Sequence, residues 1–100
     1  MERSKLSDYT LDGSQALVTG ATKGLGEIIA KRLAAQGVRV FVTGRDKQNL
    51  DRVIGEICEQ GGKVDGVIAD LSVPTEARRL ADTAIERLGH IDILINNAGM

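Results

Sequence analysis

The feature that most constrains the fold of this chain is a glycine-rich turn that joins an apolar strand to an amphipathic helix. The run Gln15–Thr19 is short and apolar and stops at Gly20, which is typical of a buried parallel strand. Glycines follow at Gly24 and Gly26, and apolar residues then recur at helical spacing until Gly37, a residue suited to a helix end. A strand that passes through such a turn directly into a helix indicates the first part of a β-α-β unit.

The same alternation of apolar runs and amphipathic stretches continues to the end of the chain. Runs at 39–43, 64–69 and 91–95 predict three more strands, and the stretches between them predict helices. We therefore predict an α/β fold, namely part of a Rossmann-type, doubly wound parallel sheet with strand order 3-2-1-4 and three helices. The first two helices should share one face of the sheet, and the third should leave the other face half covered.

Individual side chains are assigned to the core and to the helix ends. Cys58 belongs to the apolar stripe of the second helix and is predicted to pack in the core. Asp46 and Ser72 are placed to accept the free amides at the starts of the second and third helices. The inner face of the first helix is predicted to consist of four large apolar residues: Leu25, Ile28, Ile29 and Leu33.

The length and composition fit one globular domain. We assign residues 1–12 to a polar lead-in and residues 13–100 to the N-terminal part of the Rossmann domain, since 100 residues leave no room for a second domain. The formal net charge of -1 and the lack of long apolar stretches give no reason to expect nucleic-acid or membrane partners. Because Cys58 is the single cysteine, we expect no disulfide and no cysteine metal site, and the cytoplasm is the default location.

The glycine-rich turn has the spacing Gly-x-x-x-Gly-x-Gly, which differs from the common G-x-G-x-x-G arrangement but suits the same task. Small residues permit a tight turn, a close approach of backbone amides to a pyrophosphate, and packing of the helix on the strand. Thr22 and Lys23 add a hydroxyl and a cation at the tip. A P-loop is excluded because Gly24, not Ser or Thr, follows Lys23. The alternative is a plain strand-to-helix turn without a ligand.

The junction after the second strand predicts which dinucleotide is preferred. NAD-binding folds usually carry an acidic residue there, roughly 20 residues beyond the glycines, to bind the ribose hydroxyls. This chain has Gly44 and Arg45 instead, and a guanidinium can bind a 2'-phosphate that a carboxylate would repel. We therefore predict NADP, with NAD still possible through Asp46. The alternative for Arg45 is an exposed arginine that faces Asp46 or solvent.

Polar residues also follow the third and fourth strands at the edge where an adenosine would lie. Asp70 and Leu71 come directly after the third strand, where a carboxylate can accept a hydrogen bond from the adenine amino group. Asn96 and Asn97 end the fourth strand and can bridge neighbouring strands or face a ribose. A turn aspartate and an ordinary asparagine-rich turn are the alternatives.

Together, four segments resemble the short-chain dehydrogenase/reductase family: 19–26, Gly44-Arg45, Asp70-Leu71 and the Asn-Asn-Ala-Gly run at 96–99. The resemblance implies a Rossmann fold that uses NAD(P) to reduce a carbonyl or oxidise an alcohol, with a small-molecule substrate and a homo-oligomeric full-length form. It also implies that Arg45 meets the 2'-phosphate, Asp70 and Leu71 the adenine, and Asn97 the adenosine ribose. The residues that would cradle the phosphates are Gly20, Thr22, Lys23, Gly24, Leu25 and Gly26.

The catalytic residues of that family are not matched in this chain. The family uses a serine and a Tyr-x-x-x-Lys helix that lie beyond the Asn-Asn-Ala-Gly run, and Tyr9, the one tyrosine here, is followed four residues later by Gly13. We therefore assign no catalytic residue and expect no turnover by the chain alone. His90 is predicted to be a surface turn residue. The other function that we consider is a non-catalytic dinucleotide-binding or scaffolding module.

Overall fold

A computed structural model describes residues 11–97 of the chain, so Tyr9 and the end of the Asn-Asn-Ala-Gly run lie outside the described residues. Four strands and three helices alternate strictly in this part, as the apolar periodicity predicts. Their bounds are β1 Gln15–Thr19, α1 Gly24–Ala35, β2 Arg39–Gly44, α2 Lys47–Glu59, β3 Val64–Ile68, α3 Pro74–Leu88 and β4 Ile93–Asn96.

All strand pairs of the sheet are parallel, and the order β3-β2-β1-β4 confirms the predicted fold class and topology. Strand β4 begins at Ile93, not at the predicted Ile91. The reason is that Asp92, just before the strand, is already hydrogen-bonded to Gln15 on β1. Its backbone amide donates to the Gln15 carbonyl at 2.8 Å, and its carboxylate accepts from the Gln15 amide at 2.8 Å.

The core is divided between the two faces of the sheet, because successive residues of a strand point to opposite sides. On one face Val18 and Val42 pack against α1 and α2, and on the other Leu17 and Phe41 pack against α3. The predicted distribution of helices is therefore correct. Leu94 on β4 stays 63% exposed on the face that holds a single helix, as expected for a half-covered face.

The predicted inner face of α1 is wrong in part, because Leu33 does pack against the core but two other members of the face are exposed. Leu25 and Ile28 are 58% and 55% exposed, and the buried residues of the helix are Gly26, Ala30 and Ala34. The helix approaches the strands so closely at its start that a β-carbon on Gly26 would overlap the Gly20 carbonyl oxygen. Small residues therefore face the sheet, and Leu25 and Ile28 are exposed beside them.

Two further side-chain predictions are corrected by the structure. Cys58 is exposed, because Leu50, Val53 and Ile57 define the buried stripe of α2 and Cys58 lies about 100° round the helix from Ile57. Ser72 does not cap α3, whose N-cap is Val73 with Pro74 in the first turn. The predicted cap Asp46 is confirmed.

No helix within residues 11–97 is long and apolar enough to cross a membrane.

Candidate functional site

The carboxyl ends of the four parallel strands bring most of the predicted site residues to one edge of the sheet. Asp70 follows β3, Arg45 follows β2, the glycine-rich turn follows β1, and Asn97 follows β4. In open α/β sheets, ligands bind outside these carboxyl ends, where the order of strands reverses between β1 and β4. The structure thus collects segments that lie up to 78 residues apart in sequence, such as Thr19 and Asn97.

Glycine is required at three positions of the turn. Gly20 and Gly24 have φ of 60° and 58°, in the left-handed region that other residues rarely adopt. Gly26 lies against the Gly20 carbonyl, and a β-carbon there would also come within 2.7 Å of the Asn97 Nδ2 atom. The backbone conformation at Gly20 and Gly24 and the close contact at Gly26 therefore explain the spacing of the glycines. The same contact places the start of α1 at the edge of the sheet.

The start of α1 offers backbone amides to a ligand. Its N-cap, Lys23, has an extended backbone and no capping side-chain hydrogen bond, and the first helical bond runs from the Glu27 amide to the Lys23 carbonyl at 3.4 Å. The amides of Gly24, Leu25 and Gly26 precede that bond, at the positive end of the helix dipole. By contrast, the Asp46 carboxylate occupies the start of α2, accepting from the Gln48 amide at 2.9 Å. An anion therefore fits the start of α1.

Thr22 fixes the turn against the end of β2. It is only 8% exposed, and a β-carbon on Gly44 would lie 2.9 Å from the Thr22 hydroxyl and still closer to its methyl group. The Ala21 amide donates to the Thr43 carbonyl at 3.0 Å. The tip of the turn is therefore held beside Gly44 and Arg45, the junction predicted to discriminate between NAD and NADP.

Asn97 joins β4 to the glycine-rich turn, as the predicted strand-bridging role requires. Its Nδ2 donates to the Gly20 carbonyl at 3.1 Å, and its backbone amide donates to the Thr19 hydroxyl at 2.9 Å. The Thr19 hydroxyl also lies 3.1 Å from the Asn96 Oδ1 atom. Thr19 was not singled out in the sequence, because nothing in its own neighbourhood shows that β4 lies beside it.

Arg45 is exposed and forms no salt bridge with any other residue of the described part of the chain. It does not pair with Asp46, whose carboxylate accepts from the Gln48 and Asn49 amides and from the Asn49 side chain. A pairing of Arg45 with Asp46 is therefore excluded. Arg45 either faces solvent or binds the 2'-phosphate.

Asp70 is held in a turn and shares the electrostatic field of Arg45. Its Oδ1 atom accepts from the Ser72 hydroxyl at 2.6 Å and from the Ser72 amide at 3.0 Å. These hydrogen bonds, the hydroxyl first, lower the pKa of Asp70, and the positive charge of Arg45 acts in the same direction. The turn-aspartate interpretation thus has direct support, while adenine binding stays a prediction.

The remaining predicted site residues differ in exposure. Lys23 and Leu25 are exposed at the turn, whereas Leu71 is half-buried and packs on the α3 side of the core. His90 is exposed, as predicted, and its Nε2 atom lies 3.2 Å from the Asp92 carboxylate. Residues 11–97 contain no group of three or more His, Cys, Asp or Glu side chains that could hold a metal ion.

A cluster of four charged residues that the sequence analysis did not single out joins α1 to α2. Glu27 lies between Lys31 and Arg52, with nitrogen–oxygen distances of 2.7 and 2.9 Å, and both cations also contact Glu56. The hydrogen bond from Arg52, followed by that from Lys31, lowers the pKa of Glu27 to about 2. A helical pattern shows the (i, i+4) pairs Glu27–Lys31 and Arg52–Glu56, but not that the two pairs meet.

This arrangement defines the class of the protein. A parallel sheet in the order β3-β2-β1-β4, with a glycine-rich turn and an open helix start at the strand reversal, is a Rossmann-type dinucleotide-binding fold. The family model for short chain dehydrogenases matches residues 14–100. The chain belongs to the short-chain dehydrogenase/reductase family, whose members are oxidoreductases.

Curated relatives agree with this assignment. The 1-deoxy-11-beta-hydroxypentalenate dehydrogenase of Streptomyces avermitilis is 43% identical over 90 residues, which are 90% of this chain and 33% of the relative. Versicolorin reductase of Emericella nidulans is 37% identical over 98 residues, which are 97% of this chain and 37% of the relative. The chain thus spans about a third of the length of the relatives that it matches.

Solved structures show the same fold with cofactors of this type. A variant of actinorhodin polyketide ketoreductase with NADPH is 42% identical, has a TM-score of 0.83, and matches 87% of this chain and 33% of its own. A metagenomic short-chain oxidoreductase in complex with NADP is 38% identical, has a TM-score of 0.85, and matches 91% of this chain and 41% of its own. NAD(P) binding is therefore a property of the family to which this chain belongs.

Proposed function

We propose that this chain forms the NADP(H)-binding segment of an oxidoreductase that reduces a carbonyl or oxidises an alcohol. The observation that carries the proposal is the position of Arg45, exposed and without a salt bridge in residues 11–97, next to a glycine-rich turn packed against Gly44. A cation there suits a 2'-phosphate, and the start of α1 suits the pyrophosphate. The three complexes with NADP or NADPH among the similar structures support this preference.

Each residue has a specific role in the proposed site. The amides of Gly24, Leu25 and Gly26 would donate to the pyrophosphate, with Lys23 adding a charge and Thr22 a fixed loop tip. Gly20 would allow the turn, and Arg45 would bind the 2'-phosphate. At the flanks of the turn, Asp70 and Leu71 would contact the adenine, and Asn97 would face the adenosine ribose.

The reaction itself depends on the cofactor, which when bound exchanges a hydride with the substrate carbon. Within this chain we assign binding and orientation of the dinucleotide, and no side chain that transfers a proton. A small carbonyl or alcohol substrate, a homo-oligomeric full-length form and a cytoplasmic location complete the proposal.

Titration of the purified chain with NADPH and with NADH, followed by nicotinamide fluorescence or calorimetry, tests the proposed function. We expect both to bind and NADPH to bind more tightly, since only NADPH offers Arg45 a phosphate. Equal affinities would contradict the NADP preference, and no binding of either cofactor would contradict the proposed function as a whole.

A further inference from the structure

Arg52 on α2 contacts the backbone of the glycine-rich turn. Its Nη2 atom donates to the Thr22 carbonyl at 3.1 Å and to the Glu27 carboxylate at 2.9 Å. Its Nη1 atom donates to the other oxygen of Glu27 at 3.0 Å and to Glu56 at 3.1 Å. One planar guanidinium thus holds the tip of the turn, the first turn of α1 and its own helix.

The bond to Thr22 is not needed to join the two helices. Lys31 already connects Glu27 of α1 with Glu56 of α2, so α1 and α2 stay linked without Arg52. The contact between Arg52 and Thr22 therefore has a separate consequence, which is to fix the carbonyl at the loop tip. A lysine could not reproduce it, because a single ammonium lacks the planar fork that reaches a carboxylate and a carbonyl together.

The helix that carries Arg52 begins beside the other proposed phosphate site. Helix α2 begins at Lys47, two residues after Arg45, and Asp46 caps its first turn through the Gln48 and Asn49 amides. Arg52 lies six residues beyond Asp46 and contacts the Thr22 carbonyl, while the Thr22 side chain packs against Gly44. The two proposed phosphate sites are thus tied to each other through α2.

We propose that Arg52 is a positioning residue, one that sets the glycine-rich turn relative to Arg45 so that the pyrophosphate and 2'-phosphate sites keep a fixed separation. This inference rests on the proposed function for its ligand, but the ordering of the turn by Arg52 does not. Because the pyrophosphate is common to both dinucleotides, loss of Arg52 weakens both, and it weakens NADPH at least as much as NADH because only NADPH spans the two sites. Loss of Arg45, by contrast, weakens NADPH alone.

The test compares Arg52→Gln and Arg52→Lys with Arg87→Gln. Arg87 on α3 is a matched control, since its Nη1 atom contacts both oxygens of Asp65 on β3 at 3.0 Å. The Arg87 side chain is 45% exposed, against 39% for Arg52. Three quantities are measured for each chain: the dissociation constants of NADPH and NADH, the thermal midpoint, and the NMR backbone order parameters of residues 22–26.

We expect both Arg52 variants to bind each dinucleotide about threefold to tenfold more weakly, the factor for one lost hydrogen bond. In the Arg52 variants, the order parameters of residues 22–26 should fall. Arg87→Gln should lower the thermal midpoint by a similar amount but change neither the dinucleotide affinities nor the order parameters of residues 22–26. Unchanged order parameters, or wild-type affinity in Arg52→Lys, would overturn the proposal. If the wild-type chain binds neither dinucleotide, the proposed function fails while the order parameters still decide the role of Arg52.

Discussion

Arg45 is the residue on which the predicted cofactor preference depends. Replacing it with alanine removes a charge-assisted hydrogen bond to the 2'-phosphate, which contributes about 1.5 to 3 kcal/mol. We expect Arg45→Ala to bind NADPH about tenfold to a hundredfold more weakly, with little change for NADH. Fluorescence titration with each dinucleotide measures both values.

Arg32→Ala is the matched control for this prediction. Arg32 is exposed in the last turn of α1, away from the carboxyl edge of the sheet, so its removal should leave both affinities unchanged. An equal loss of NADPH affinity in the Arg32 and Arg45 variants would show that only net charge matters, and would contradict the proposed contact.

Gly26 is the position where a single methyl group should be most disruptive. In Gly26→Ala the new β-carbon would meet the Gly20 carbonyl and the Asn97 side chain, so the turn must open or the helix must shift. We expect a loss of about 1 to 3 kcal/mol in the free energy of unfolding, together with weaker dinucleotide binding. Urea denaturation and NADPH titration measure the two effects.

Gly55 provides the opposite case within the same chain. It is exposed on α2, and a β-carbon there would have no atom within 4 Å, so Gly55→Ala should raise the stability by about 0.5 to 1 kcal/mol through helix propensity. If both alanine variants change stability in the same direction, close packing at Gly26 is not the reason for that glycine.

At the scale of elements, the charged cluster between α1 and α2 should make stability depend on pH. The folded-state pKa of Glu27 is about 2, below its ordinary value of 4.5, because Arg52 and Lys31 favour the carboxylate. Its contribution is therefore fully present above about pH 5 and is lost as the pH falls from 4.5 toward 2. We expect Glu27→Gln to destabilise the chain by about 1 kcal/mol at pH 7 and the difference to fall to a small part of that value near pH 2.

Urea midpoints of both chains between pH 7 and pH 2 measure this difference. Asp51→Asn is the control. Among the described residues, Asp51 forms an ion pair with Lys47 alone on α2 and is 59% exposed, whereas Glu27 lies between two cations. Its effect should stay within a few tenths of a kcal/mol. A gap between wild type and Glu27→Gln that does not change with pH would contradict the account of the cluster.

The strands were predicted to within two residues, but the inner face of α1 was not, for a physical reason. A parallel strand buried on both faces is a continuous apolar run bounded by glycine, as in β1 and β2, and this signal is local. The inner face of α1 depends on how closely the helix approaches the sheet, which Gly26 decides and no apolar periodicity records. The exposed position of Leu25 follows from that tertiary geometry, whereas Cys58 is exposed because it lies about 100° round α2 from the buried Ile57.

The candidate site, too, could be predicted from the sequence only in part. Glycines and the residues after each strand could be located from the sequence, because a parallel sheet brings the carboxyl ends of its strands to one edge. Contacts between elements could not, and the bonds of Thr19 with Asn97 and of Arg52 with Thr22 span 78 and 30 residues. Such pairs become visible only when the order and spacing of the elements are known.

At the scale of the whole molecule, β4 is an exposed edge of the described sheet. It pairs with β1 on one side, is four residues long, and carries Leu94 with 63% of its surface exposed. An apolar edge strand recruits other strands, so we expect the purified chain to associate and to bind a hydrophobic dye. Leu94→Lys should shift the chain toward monomer in size-exclusion chromatography.

Ile85→Lys serves as the control, because Ile85 is 48% exposed on a helix rather than on a strand edge. It introduces the same charge and should change the association less than Leu94→Lys. If the unsubstituted chain gives a sharp monomer peak and binds little dye, the predicted association through β4 is wrong.

In the proposed function, the glycine-rich turn and Arg45 together bind the phosphates of NADP. NADPH titration of the ¹⁵N-labelled chain, followed by amide chemical shifts, tests it most directly. We predict the largest shifts at residues 22–26 and at Arg45, with the Arg45 shift absent when NADH is used. Shifts confined to other parts of the chain, or identical shifts at Arg45 with both dinucleotides, would contradict the account.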